Sequence, residues 1–457
     1  MLNRCADIQI GGKLLSVQNV LHAGLSAGVG ELCQIYLTQP SATAPMSDRR
    51  MILGEIVGSS ANEAQIMTYR HPTGIRPGME VIATGRHLQV PVGRGLLGRT
   101  INGLGEPIDN QHALSACRYR QVSHSTPDAL TRQAISKPLV TGQRVIDGML
   151  TLGEGQRVGL FAGSGVGKST LMGEIARNAS ADLNVIVLVG ERGREVRPFI
   201  HDCLGPDGLT RSVVVVATSD ETPLMRIQAV KTGIEIASDF RDQGANVLFF
   251  LDSITRLAHA QRELGLSRGE PPGPRGYPPS VHNVLANTLE RLGTNDKGSI
   301  TGIITVLVDG DDMEEPIADA ARSILDGHLV LDRKLAARGH YPAVDVLHSV
   351  SRLFNEVTTA EQQKHVVNVR KHLAAYEDVR ELIQAGLYQT GSIAAVDSVL
   401  VDKNVLIGKG ARIIASEAPN GLADADYEHV SMRDGIAVIP KQAKIPEGWS
   451  LKDQKAP

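Results

Sequence analysis

Residues 162–169 read Ala-Gly-Ser-Gly-Val-Gly-Lys-Ser, between an apolar run from Arg157 to Phe161 and a helix-like stretch that starts at Ser169. Glycines at 163, 165 and 167 let successive backbone N–H groups turn onto one anion at the start of a helix. Lys168 adds a mobile positive charge for the β and γ phosphates, and Ser169 offers a hydroxyl ligand to Mg²⁺. The expected nucleotide cradle is therefore Gly163, Ser164, Gly165, Val166, Gly167, Lys168, Ser169 and Thr170. Ala162 stands where the general pattern has Gly, a mild departure because the crowded turns come later in the loop.

Around this loop, apolar runs recur at Asn184 to Val189, Ser212 to Ala217, Val247 to Leu251 and Ile300 to Val308. They are too apolar for strands with one wet face, so both faces are expected to be buried. Helix-like segments lie between them. The clearest is capped by Thr222 with Pro223 in the first position, carries Ile227, Val230, Ile234 and Ala237 at helical spacing, and stops at Gly244. Alternating strand and helix predicts a parallel sheet with crossover helices, its ligands beyond the carboxyl ends of the strands.

Two carboxylates fall at such strand ends. Val247-Leu-Phe-Phe-Leu-Asp252 ends a buried strand on one acid, the place from which a phosphate-loop enzyme holds Mg²⁺ through water. An Asp that merely caps the next helix has the same local sequence. Glu191 opens Glu-Arg-Gly-Arg-Glu195 after the strand Asn184 to Val189, where a carboxylate can orient a water behind the γ-phosphate. Arg192 is grouped with Glu191 and Lys168 as a catalytic candidate; the bland alternative is that Arg192, Arg194 and Glu195 pair with one another on the surface.

The flanks have other textures. Residues 1–90 carry short β-like runs such as Leu53 to Val57 and Glu80 to Ala83 between Gly and Pro, which predicts an N-terminal β-barrel. The ATPase domain is expected over 91–355, with the Gly-rich stretch 91–150 leading into it. Residues 356–398 read as a small C-terminal helical domain, with Val366, Val369, Leu373, Tyr376, Val379 and Ile383 three or four apart. In the β-rich tail 399–457, Val401, Ile407 and Ile413 recur at six, as do Ile439 and Ile445, which suggests about three hexapeptide coils interrupted at 416–434.

Composition limits the alternatives. Apolar residues make up 42% and charged residues 21% of the 457, as expected of a folded rather than a disordered chain. A net charge of −3 gives no global positive field for nucleic acid. The four cysteines form no C-x-x-C pair, which argues against a zinc site or a disulfide framework and for a reducing compartment. No run approaches the ~18 apolar residues of a membrane span, so a cytoplasmic protein is expected.

The stretches FAGSGVGKST, GERGREV, SVVVVATSDETPL, LDSITR, GEPPGPRGYPPSV, GDDMEEPIAD, SILDGHLVLDRKLA and HYPAVDVLHSVSR, in that order, resemble the ATPases of flagellar and type III protein export. These are similar to the catalytic β subunit of the F-type rotary ATPase. The resemblance runs from about residue 25 to residue 395 and implies an α/β RecA/F1-like fold acting as a homohexamer. It implies Mg²⁺-dependent ATP hydrolysis that releases and unfolds export substrates, with their chaperones, at a gate in the inner membrane, to which the ring is peripheral. Lys168 and Ser169 then serve phosphate and Mg²⁺, Glu191 the attacking water and Asp252 the Mg²⁺. Two further roles come from the resemblance alone: Tyr341 packs on adenine, and Arg352 reaches into the neighbouring subunit's site. The loop Gly265 to Ser280 would face the ring centre, where a stalk-like coiled-coil export protein inserts.

The sequence also departs from that family. Barrel-like sequence begins almost at Met1, without the amphipathic helix that docks a stator-like regulatory protein. After about residue 399, VDKNVLIGKGARI and RDGIAVIPKQAKIPEG resemble the closing segment of ADP-glucose-forming nucleotidyltransferases. Two rival functions fit the same core: a nucleotide-holding ring subunit without turnover, against which Glu191 argues, and an RNA translocase. The latter should bring aromatic residues in its barrel, yet the first 90 residues hold only Tyr36 and Tyr69.

Overall fold

The computed structural model describes residues 10–37, 50–123, 125–308, 315–384, 395–397, 399–401, 406–407, 411–419, 423–433, 436–440 and 442–455. The acidic stretch 309–314, within one of the resembling motifs, and the start Met1–Gln9 lie outside them, as does the Ile383 side chain. The chain divides into two compact units, residues 1–363 and 364–457.

The first unit opens with six strands, β1 (Ile10–Val17), β2 (Leu21–Ala23), β3 (Leu32–Tyr36), β4 (Met51–Ser59), β5 (Ala64–Thr68) and β6 (Glu80–Ala83). They close into a barrel in the order β1-β2-β5-β4-β3-β6. Closure leaves no free sheet edge. Alternate side chains point inward, so Leu14, Leu21, Cys33, Ile35, Ile56, Ile66 and Val81 fill the interior.

The Gly-rich stretch after the barrel is more than a connection. β7 (Gln89–Val92) and β9 (Arg118–Gln121) pair antiparallel, and between them β8 (Thr100–Asn102) joins the edge of the main sheet. A two-residue pair, β10 (Pro138–Leu139) with β11 (Leu152–Gly153), encloses helix α1 (Arg144–Met149).

The sheet itself comprises β12 (Arg157–Ala162), β13 (Leu183–Glu191), β14 (Ser212–Thr218), β15 (Asn246–Asp252), the short β16 (Gly293–Thr294), β17 (Ser299–Leu307), β18 (Gly327–Leu331) and β19 (Val344–Ser351). Its order is β19-β18-β12-β17-β15-β13-β14-β8, with β16 paired to β17. The strands β18 to β8 run parallel, as the alternation predicts. The edge strand β19 and the short β16 are antiparallel.

Helices cover both faces. On one lie α1, α2 (Lys168–Asn178), α3 (Gly193–Pro198) and α4 (Gly205–Thr210); on the other, α5 (Pro223–Asp242), α6 (Ile254–Ser267), α7 (Pro279–Glu290) and α8 (Pro316–Ile324). Helix α5 shows why the sequence folds so. The Thr222 hydroxyl accepts from the Met225 N–H at 3.2 Å and donates to the Tyr69 carbonyl at 2.9 Å, capping the helix and tying it to the barrel end. Ile227, Val230, Ile234 and Phe240 are buried, at about 1.5–3 kcal/mol for each such side chain. Gly233 permits close approach, since a Cβ there would lie 2.3 Å from a Val187 methyl. Gly244, at φ 93°, ends the helix.

The β7–β9 hairpin straps α5 through charge. Glu235 is fully buried; it accepts from the Ser123 N–H at 2.8 Å, ion-pairs with Arg291 and lies 3.1 Å from Arg120 Nε. Removing one partner of such a group strands the other charge in a low-dielectric interior. Glu235→Ala is expected to cost about 3–5 kcal/mol in urea unfolding, and Glu235→Ala with Arg291→Met to recover part of it. A loss under 1 kcal/mol would mean that water reaches the cluster.

The short helices α9 (Arg333–Ala337), before β19, and α10 (Phe354–Val357), after it, complete the first unit, and α11 (Ala360–Gln384) starts in it. The second unit holds the rest of α11 and the strands β20 (Ala395–Asp397), β21 (Val399–Val401), β22 (Leu406–Ile407), β23 (Arg412–Ile414), β24 (Ala425–Asp426), β25 (Ser431–Arg433), β26 (Ile436–Ile439) and β27 (Lys444–Ile445). Parallel pairs β20/β23, β21/β26 and β22/β27 stack two coils, and one bridge from Arg412 to Ser450 begins a further turn. The polar interruption seen in the sequence forms the antiparallel pair β24/β25, which extends β26.

Candidate active site

The site lies at the carboxyl ends of β12, β13 and β15. β12 ends at Ala162, and the following loop takes positive φ at Gly165 (81°) and Gly167 (86°) before α2 begins at Lys168. Only glycine adopts those angles readily. The resulting turn aims the first N–H groups of α2 at one point, where the helix dipole adds partial positive charge. Gly163 is buried and Ser164 and Gly165 are exposed on the loop, while the Val166 side chain is 2% exposed and anchors the loop in the core. Val166 can therefore serve a ligand only through its backbone. Ser169 and Thr170 are exposed on the first turn.

Lys168, Glu191 and Asp252 come together. The Lys168 ammonium ion-pairs with the Asp252 carboxylate and stands 3.7 Å from Glu191 Oε1. Asp252, almost wholly buried, also accepts from the Thr305 hydroxyl of β17 at 2.7 Å. It is not the cap of α6: Ser253 is, its hydroxyl accepting from the Arg256 N–H at 3.3 Å. The helix-cap reading of Asp252 falls on that geometry.

Burial, with a smaller contribution from the Asp252 carboxylate, pushes the Glu191 carboxyl above its ordinary value; the Lys168 ammonium and, less strongly, the Arg256 guanidinium pull it back. A water-orienting carboxylate must be ionised, and kcat/KM reports the free enzyme. Turnover is thus expected to fall on acidification with a midpoint above the roughly 4.3 of an ordinary Glu. Measuring kcat/KM from about pH 4 to pH 8 checks this; an acid-limb midpoint at or below the ordinary Glu value would contradict the burial argument.

The remaining sequence-predicted residues are placed differently. Tyr341 stands over the loop: a Cβ on Gly167 would lie 3.3 Å from the Tyr341 ring, which is 61% exposed. Arg192 follows β13 but points outward, 3.5 Å from Glu195, and Arg194 lies 3.9 Å from the same carboxylate, as the surface-cluster alternative has it. Arg352 is at the other end of the sheet. β19 pairs Val344 with Leu331 beside the loop and Ser351 with Gly327 at the far end, four residues or about 13 Å away. Its guanidinium donates to the Arg322 carbonyl at 3.1 Å and takes no part in the cluster of its own chain.

Sequence reading missed two neighbours of the site. Arg256, one turn into α6, lays its methylenes over Gly190, where a Cβ would lie 2.9 Å from its own. Its only signal is the i+4 spacing from Asp252. Thr305 is one of three hydroxyl residues in an otherwise apolar strand, with Ser299 and Thr301, and the long-range pairing of β15 with β17 brings it to Asp252.

The residues fit a magnesium nucleotide. Among the described residues no cluster of three or more His, Cys, Asp or Glu could cage a metal. Mg²⁺ needs none, since it is commonly held by one or two protein oxygens with water and substrate phosphates. A strand, a glycine loop, a helix N-terminus with its lysine and two strand-end carboxylates define a P-loop ATPase.

Comparison with known proteins gives the family. The model of the ATP synthase alpha/beta family nucleotide-binding domain matches residues 142–351, and that family's beta-barrel domain matches 8–85. The flagellum-specific ATP synthase of Treponema pallidum is 47% identical over 401 residues, 87% of this chain and 88% of that protein. The type 3 secretion system ATPase of Xanthomonas euvesicatoria is 46% identical over 393 residues, 86% of each chain. The assembled ATPase EscN of the enteropathogenic E. coli type III secretion system superposes with a TM-score of 0.76 at 42% identity, covering 84% of this chain and 90% of that one. The chain belongs to the family of flagellar and type III secretion ATPases. Its tail differs in kind: residues 373–449 match the GLGC left-handed parallel beta-helix domain, in accord with the stacked coils. Among the described residues no helix is long and apolar enough to cross a membrane.

Proposed function

We propose that the chain hydrolyses ATP as a homohexameric ring and uses the turnover to release and unfold proteins, with their chaperones, at an export gate in the inner membrane. The observation that carries the reading is the meeting of Lys168, Glu191 and Asp252 at the mouth of the glycine loop. The loop N–H groups and Lys168 hold the triphosphate, and Tyr341 covers the adenine. Glu191 accepts a hydrogen bond from the attacking water and sets it in line with the γ-phosphorus, so that the bond to the ADP oxygen breaks as the new P–O bond forms. Ser169 directly, and Asp252 through water, would hold Mg²⁺, which when bound neutralises charge on the β- and γ-phosphate oxygens.

Arg352 completes the site of the adjacent subunit, a role supported by its distance from the cluster of its own chain. Arg192 belongs to the site only if the Glu195 contact is released on assembly. EscN has been solved in complex with its central stalk EscO; here the loop Gly265 to Ser280 would meet such a stalk-like export protein. An RNA translocase is disfavoured by the aromatic-poor barrel.

A site completed in trans makes specific activity depend on assembly. ATP turnover per subunit should rise with protein concentration in step with ring mass measured by light scattering. Constant turnover per subunit across the monomer–ring transition would overturn the reading.

A further inference from the structure

A cleft of about 430 Å³ separates the barrel from α5, α6 and α7, away from the glycine loop. That volume falls within the roughly 300–1,000 Å³ of small-molecule sites. Its walls are aliphatic: Val57 and Leu88 face Ile227 and Ile234 of α5, with Leu257 and Leu264 of α6 behind them. Among the described residues no phenylalanine, tyrosine or tryptophan lines it, so they offer no flat face for a base or other aromatic ring.

Its polar groups lean one way. Lys231, half-buried on α5, has no ion-pair or hydrogen-bond partner among the described residues. Arg268 lies exposed at the end of α6, and Arg291 is already paired with Glu235. The single carboxylate of the lining, Glu55, accepts the Tyr69 hydroxyl. His87 bonds to the Gly30 carbonyl at 2.9 Å. An ammonium held beside apolar walls without a counter-charge is costly, and an anion that brings its own aliphatic body satisfies both features together.

We propose that this cleft binds an aliphatic carboxylate, its chain between α5, α6 and the base of the barrel and its carboxylate on Lys231. Occupancy bridges the barrel and the ATPase sheet, so it favours the folded chain by mass action.

The test uses the full chain and laurate below its micellar concentration, with calorimetry and thermal melting as readouts. Saturable binding of one laurate per chain with a rise in Tm is expected, and the trimethylammonium analogue of the same chain length should not bind. Lys231→Glu should weaken laurate binding by about tenfold or more while ATP turnover without laurate stays parental. Val284→Trp, which puts bulk into the wall contributed by α7, should abolish binding with turnover again retained. Absence of saturable binding, equal binding of the cationic analogue, or parental affinity in both variants would overturn the proposal.

Discussion

Arg352→Ala is expected to lower kcat by about 10³-fold or more, some 4 kcal/mol of transition-state stabilisation, while ATP affinity stays near the parental value. The expectation rests on position. In its own chain Arg352 lies at the end of the sheet opposite the glycine loop, its guanidinium on the Arg322 carbonyl. Charge that develops on the transferring phosphoryl group is therefore beyond its reach unless another subunit presents it. Subunit mixing separates the two cases. Arg352→Ala chains keep Lys168, and Lys168→Ala chains keep Arg352, so random co-assembly restores both groups at about a quarter of the interfaces. Recovered turnover in the mixture of two inactive variants is the expected result; none would assign Arg352 to its own chain or to no site.

Glu191→Gln should lower turnover by about 10²- to 10⁴-fold, because the amide presents an N–H where the water needs an acceptor, or accepts far more weakly. The same variant should melt no lower than the parent at neutral pH. Burial raises the Glu191 pKa in the folded chain. The folded state then binds its proton more tightly than the unfolded state, so the stability this group contributes is present at low pH and lost as pH rises through the folded pKa. Above that value the buried charge is a cost, and a neutral side chain removes it. Parental turnover in the variant would refute the assignment; a large fall in Tm would show that the contact with Lys168 outweighs burial.

What the sequence made legible was local. The glycine loop, the Thr222–Pro223 helix start and the four apolar strands appear where spacing and turn chemistry put them, because each signal is complete within a dozen residues. β8 was not legible: three residues among glycines carry no period, and only pairing with β14 makes them a strand. Thr305 and Arg256 likewise gain their place at Asp252 and Glu191 from strand order and helix entry, which no local pattern encodes. Tyr341 and Arg352 came from family likeness alone. Arg192 is the opposite case, its motif position suggesting the site while its side chain turns to Glu195.

Strand β19 joins two residues proposed to serve different active sites. Tyr341 stands just before it, over the glycine loop, and Arg352 just after it, at the far edge. Its antiparallel ladder to β18 couples it to the sheet that carries the loop. In a closed ring, a shift of this short rod as one adenine pocket tightens would advance or withdraw the guanidinium offered next door. Under the proposed roles, sequential firing around the ring would need no separate messenger, since each subunit's grip on its own fuel would also set its neighbour's trigger.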